Sequence, residues 1–270
     1  MKAGTHEASR VTLPHVSASL LKVFAAYSRG YARRHFHSFR ILNSGLPPRD
    51  LNRPLVIFLN HASWWDPLVC LLLSREFFAN RTSFAPIDGS MLERYGFFKH
   101  LGFFGVEQQS AIGALKFLRT ARALLASSRN AMWVTPQGRF MDIRERPLRL
   151  QSGLGALAAQ SAETMFLPLA LEYTFWSEPR PEILVSFGEP IIPGSKMSGS
   201  AEEWTKRFSD ALEDTQDELA ARSCRRDSSE WLVLNRGTSG VNAIYDTWRW
   251  LRARISRETF VREHRAENSR

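Results

Sequence analysis

Between residues 54 and 187 the chain alternates short, wholly apolar runs with stretches whose apolar residues return every three to four positions. Leu55–Leu59, 131–135, 165–175 and 182–187 read as buried strands, and 82–87 as a weaker one. Helical spacing covers 67–78, 90–99, 111–127, where Ser110 is placed to cap the first turn, and 153–162. Strands and helices that alternate at this length bury their apolar faces in only a few ways. The expectation is an α/β fold with a central mixed, largely parallel sheet flanked by helices.

The two ends follow another pattern. Over residues 16–41 helical spacing puts Leu20, Leu21, Phe24, Tyr27, Tyr31 and His35 near one face, with Lys22, Arg29, Arg33 and Arg34 largely elsewhere. Such a basic amphipathic helix suits a membrane interface and suits packing on the domain equally. Residues 201–222 form a charged helix with Trp204, Phe208, Leu212 and Leu219 in one stripe. After a break at 237–240, residues 241–257 read as a helix rich in Trp and Arg. The expected organisation is a basic, membrane-associating segment (1–45), a central domain (46–198) and a helical C-terminal extension (199–270).

Charge narrows the partners. The formal net charge is +9, of which residues 1–40 carry +6 and residues 244–270 carry +3, so the middle is neutral. Clustered positive charge attracts a polyanion, a membrane surface with anionic lipid or a nucleic acid, or simply keeps a surface soluble. No nucleic-acid-binding motif is present, so nucleic acid is not expected. Aromatic residues make up 11% of the chain, which excludes general disorder. Cys70 and Cys224 have neither metal nor redox spacing, and no metal-ligand cluster appears, so no metal is expected. No secretory pattern and no run of about 18 apolar residues is found. The expected location is therefore peripheral, on the cytoplasmic face of a membrane.

The chemistry concentrates in Phe58-Leu59-Asn60-His61-Ala62-Ser63-Trp64-Trp65-Asp66-Pro67. A buried strand ends there, and a polar Asn-His pair follows where open α/β sheets usually bind ligands. A loop that folds back lets the Asp66 carboxylate hold one imidazole nitrogen of His61. The other nitrogen can then take a proton from an attacking hydroxyl. Asp66 before Pro67 is also an ordinary helix-capping signature that requires no catalysis.

Asn60-His61-x4-Asp66 resembles the N-H-x4-D motif of the glycerolipid acyltransferases, the lysophosphatidic acid acyltransferase-like enzymes. Three further blocks follow in the family's order over about residues 50–195. They are Gly102-Phe-Phe-Gly-Val-Glu-Gln108, Val134-Thr-Pro136-Gln137-Gly138-Arg139 and Phe166-Leu167-Pro168-Leu169. The resemblance implies a glycerol-3-phosphate acyltransferase-like fold. It also implies transfer of a fatty acyl group from acyl-CoA or an acyl-carrier protein to a hydroxyl of a lipid-like acceptor, with no bound cofactor. His61 would be the general base and Asp66 its orienting partner. Asn60, Gln108, Pro136, Gln137, Gly138 and Arg139 would form the substrate-binding set.

Backbone amides of the 136–138 turn are candidates to hold the oxyanion. Arg139, Arg144, Arg146 and Arg149 suit a phosphorylated donor, or else line a solvated loop. Two departures bear on the acceptor. Gln108 stands where the family has Arg, and Glu-Gly-Thr-Arg of the third block becomes Gln137-Gly138-Arg139-Phe140. Without those charges, the acceptor is expected to lack a phosphomonoester. The competing reading is a non-catalytic protein that binds lipid, or less favourably nucleic acid, through its basic ends.

Overall fold

The computed structural model describes residues 13–49, 52–107, 110–194 and 199–237. In chain order the elements are α1 (Ala18–His35), β1 (Ser38–Leu42), β2 (Leu55–Leu59), α2 (Asp66–Phe77), β3 (Thr82–Asp88), α3 (Gly89–Arg94) and β4 (Phe103–Val106). They continue with α4 (Ala111–Leu125), β5 (Asn130–Val134), α5 (Gly153–Ala158), β6 (Met165–Thr174), β7 (Glu182–Phe187), α6 (Ala201–Arg225) and β8 (Trp231–Arg236). The strands form one eight-stranded sheet in the order β4-β3-β5-β2-β6-β7-β1-β8. Pairing is parallel from β4 through to β6 and again between β7 and β1. It is antiparallel between β6 and β7 and between β1 and β8. The fold is the expected α/β type, with a mixed, mostly parallel sheet flanked by helices.

The apolar runs are buried on both faces, as strands in the middle of a covered sheet must be. On β2, Leu55, Ile57 and Leu59 join Leu68, Val69, Leu72 and Leu73 of α2 in one core. Val56 and Phe58 point the other way, into a second core with Phe117, Ala121 and Leu124 of α4 and Leu154 and Leu157 of α5. Helix α6 closes that second core. Its stripe of Trp204, Phe208, Leu212 and Leu219 is buried, and the Phe208 ring lies 5.0 Å from Phe58 and 4.9 Å from Phe166. Burial of each such side chain contributes about 1.5–3 kcal/mol. Ser200 and Glu203 start the helix with a reciprocal capping box.

Helices α2 and α4 cover opposite faces of the sheet, and the loops after β2 and β5 meet at the carboxyl ends of the central strands. That is the general ligand position in open α/β sheets.

The N-terminal helix stops at His35 rather than running to residue 41. Phe36 turns extended, and Ser38–Leu42 joins the sheet between β7 and β8, burying Phe39 and Ile41. Strand pairing decides these residues against their local helical spacing. The buried face of α1 is also not the aromatic one. Ala25, Ser28 and Ala32 turn inward, while Tyr27 is exposed. Small residues let the helix approach the sheet closely, which leaves its larger stripe at the margin. Strands β4 and β8, absent from the sequence reading, complete the two edges of the sheet. The Trp- and Arg-rich helix expected over 241–257 lies outside the described residues.

Candidate active site

The site grows from the end of β2. Asn60 is buried, and its side chain makes two hydrogen bonds with one residue of β6. Nδ2 donates to the Leu171 carbonyl (2.9 Å), and Oδ1 accepts the Leu171 N–H (2.8 Å). This clamp fixes where β2 stops and the loop begins. It also uses the amide that sequence reading assigned to substrate. Asn60 positions the loop because it is turned into the sheet, where only backbone reaches it.

The loop 61–65 folds back on the start of α2. His61 Nδ1 lies 2.7 Å from Asp66 Oδ2, and that oxygen also accepts the Ser63 N–H at 3.1 Å. The other carboxylate oxygen, Oδ1, accepts the Tyr173 hydroxyl at 2.7 Å. The Asp66 side chain is 1% exposed and that of His61 21%, so the carboxylate is enclosed while the imidazole is partly open to solvent. Asp66 opens α2, where unpaired N–H groups and the helix dipole favour a negative charge. Trp65 anchors the turn, its ring 4.9 Å from Phe36 and 5.1 Å from Tyr31.

Ionisation in this corner is one-sided. Burial, reinforced by the Asp66 charge, pushes the Tyr173 phenol and the Cys70 thiol well above their usual ranges. Tyr173 therefore stays protonated and donates. Cys70 stays a thiol, and so makes a poor nucleophile. Among the described residues no group of His, Cys, Asp and Glu could hold a metal ion.

The loop after β5 forms the other wall. Gln137 is buried, and its Oε1 accepts the His61 backbone N–H at 2.6 Å. The Met141 N–H donates to the His61 carbonyl at 2.9 Å. His61 is thus held from both sides by one loop. Gln137, expected in the substrate-binding set, has its side-chain oxygen on the backbone of His61. In the 136–138 turn, Pro136 has no N–H and the Gly138 N–H is given to Thr135 O at 3.1 Å. The Gln137 N–H is the turn's remaining oxyanion candidate.

Gly138 adopts a positive φ of 71°, which an L side chain would strain, and this bends the loop back toward His61. Beyond it Arg139 is exposed, and the Phe140 ring sits 4.2 Å from the His61 ring. Gln108 lies outside the described residues.

Sequence reading brought out His61, Asp66 and the 136–139 turn, and the structure brings them together. It missed Tyr173. The available signal was parity: Tyr173 shares a strand face with Leu169 and Leu171, the only polar group on an otherwise apolar face of β6.

A family model described as Acyltransferase matches residues 38–172, half of the chain. No curated protein matches it.

Proposed function

Since this chain belongs to the acyltransferase family, we propose that it moves a fatty acyl group from acyl-CoA or an acyl-carrier-protein thioester to a hydroxyl of a lipid-like acceptor. His61 acts as general base and Asp66 orients it. The observation that carries this reading is the 2.7 Å contact between His61 Nδ1 and the enclosed Asp66 carboxylate. A carboxylate at that nitrogen favours the tautomer with the proton on Nδ1, which leaves Nε2 a lone pair for a hydroxyl. Nε2 takes the acceptor's hydroxyl proton as the oxygen attacks the thioester carbonyl carbon. The tetrahedral oxyanion collapses, the C–S bond breaks, and the departing thiolate takes the proton back from His61. The acceptor gains an ester, the donor leaves as a thiol, and no redox partner is required.

The acceptor reaches the site from a membrane surface. No helix among the described residues is long and apolar enough to cross a membrane. An aromatic ribbon supports peripheral attachment: Phe97, Phe24, Tyr27, Tyr31 and Trp65 follow one another at ring separations of 5.1–6.4 Å, ending at the loop that carries His61. Lys22, Arg29, Arg33 and Arg34 are exposed on the same helix, suiting anionic lipid on the cytoplasmic face. The preferred acceptor lacks a phosphomonoester, in keeping with Gln108 at a position where the resembled family carries Arg.

Purified protein assayed for thiol release and ester formation tests the chemistry. His61→Ala is expected to lower transfer by about 10²–10⁴, the usual worth of a positioned base. Transfer within a few-fold of wild type would refute the mechanism.

A further inference from the structure

Phe140 is 56% exposed, yet its ring is not free: it rests 4.2 Å from the His61 imidazole at an interplanar angle of 37°. Trp64, three residues after His61 in the same loop, is 72% exposed. Two large aromatic side chains therefore stand open to solvent within the two segments that hold the base. Trp64 also packs edge-on against Trp65, at 5.8 Å. An exposed aromatic ring tilted against this imidazole is an incomplete apolar surface, and a ligand carbon skeleton laid on it would complete it.

Two arginines further along the same loop are already engaged. Arg144 pairs with Asp142 (2.7 Å), and Arg146 with Asp217 (2.5 Å) and Glu213 (3.7 Å). Gln137 turns inward to the His61 N–H and is not offered to a ligand. A phosphate laid beside Phe140 would lose water against an apolar ring and gain no compensating partner from it.

Resting on the acyl-transfer reading, we infer that Phe140 is the specificity-determining residue for the acceptor. It selects a neutral alcohol that presents an apolar carbon skeleton next to the reacting hydroxyl. The ring also limits how the imidazole can turn, so the same stacking that selects the acceptor holds Nε2 toward it. Arg139 is exposed beside it, and its replacement is the control for a phosphate met by that side chain.

The test uses the full chain with palmitoyl-CoA as donor and a matched pair of acceptors, 1-palmitoylglycerol and its 3-phosphate, with products identified by mass. Wild type is expected to prefer the neutral alcohol. Phe140→Arg should shift the ratio of kcat/KM toward the phosphate by about tenfold or more, mainly through KM. Phe140→Ala should weaken the neutral acceptor while leaving the phosphate no better. Phe140 is half exposed, so both variants should keep the wild-type circular dichroism and melting point. Transfer that persists with an unchanged ratio in both variants overturns the inference and leaves the acyl-transfer reading standing. A wild-type preference for the phosphate that is lost on Arg139→Ala also overturns it. Thiol release that is the same in wild type and His61→Ala overturns the underlying reading, and this inference with it.

Discussion

The Tyr173 hydroxyl donates to Asp66 Oδ1 at 2.7 Å, on the carboxylate oxygen that His61 leaves unused. A residue of β6, the strand beside β2, thereby holds the carboxylate that contacts His61, one position beyond the segment that the family model matches. Tyr173→Phe removes one hydrogen bond to a charged group, worth about 1.5–3 kcal/mol. The expected outcome is a kcat lower by about tenfold or more with KM nearly unchanged, since Tyr173 acts through Asp66. In a Tyr173→Phe, Asp66→Asn double variant the two losses should not add, because both pass through one carboxylate. Additive losses in single-turnover rates would separate Tyr173 from the base.

Gln137 yields a second expectation. Its Oε1 accepts the His61 N–H, and a carboxylate can accept that bond equally well. Gln137→Glu should keep transfer within a few-fold of wild type. Gln137→Ala should lower kcat more than it raises KM, because the backbone of His61 loses its brace. Neither should alter the ratio of neutral to phosphorylated acceptor. A change of acceptor preference on Gln137→Glu would mean that this side chain meets the ligand after all.

Alkaline pH provides a third. Folding raises the pKa of both Cys70 and Tyr173, so the native state holds two protons that the unfolded chain gives up at about pH 8.5 and 10. A raised acid of this kind leaves stability intact below the unfolded value. Above that value, stability falls by about 1.4 kcal/mol per pH unit for each group. Melting temperatures should therefore decline from about pH 9 upward. Cys70→Ala should flatten the first part of that decline, and Tyr173→Phe the part above about pH 10. Parallel curves for all three proteins would show that these protons are not linked to folding.

Membrane attachment is tested by substitution rather than truncation, because residues 38–42 are a strand of the sheet and α1 packs beside it. Replacing the exposed Tyr27 and Phe97 with Ser removes apolar contact area without opening the core. Binding to phosphatidylglycerol–phosphatidylcholine vesicles should weaken, and reversing Lys22 and Arg29 to Glu should weaken it further at low salt than at high salt. Unchanged vesicle binding in both variants would detach this helix from the membrane reading.

The sequence by itself determined the α/β class, because apolar runs such as Leu55–Leu59 can be satisfied only between two covered faces. It also set the loop in which His61 and Asp66 lie five residues apart, since short-range spacing is written in the chain. What it left open depended on contacts between distant residues. Ser38–Leu42 carries a spacing that continues a helix, and only pairing with β7 and β8 makes it a strand. Asn60 read as ligand-facing because it follows a strand end, and Gln137 because the resemblance ties its position to the acceptor. The tertiary structure turns both toward backbone, Leu171 for one and His61 for the other, a choice that costs less than leaving those buried groups unpaired. Tyr173 carried no motif, and Phe140 entered only as the residue in place of the third block's Arg. Their places on Asp66 and His61 follow from β6 lying next to β2 and from the bend at Gly138, relations that exist only once the sheet is assembled.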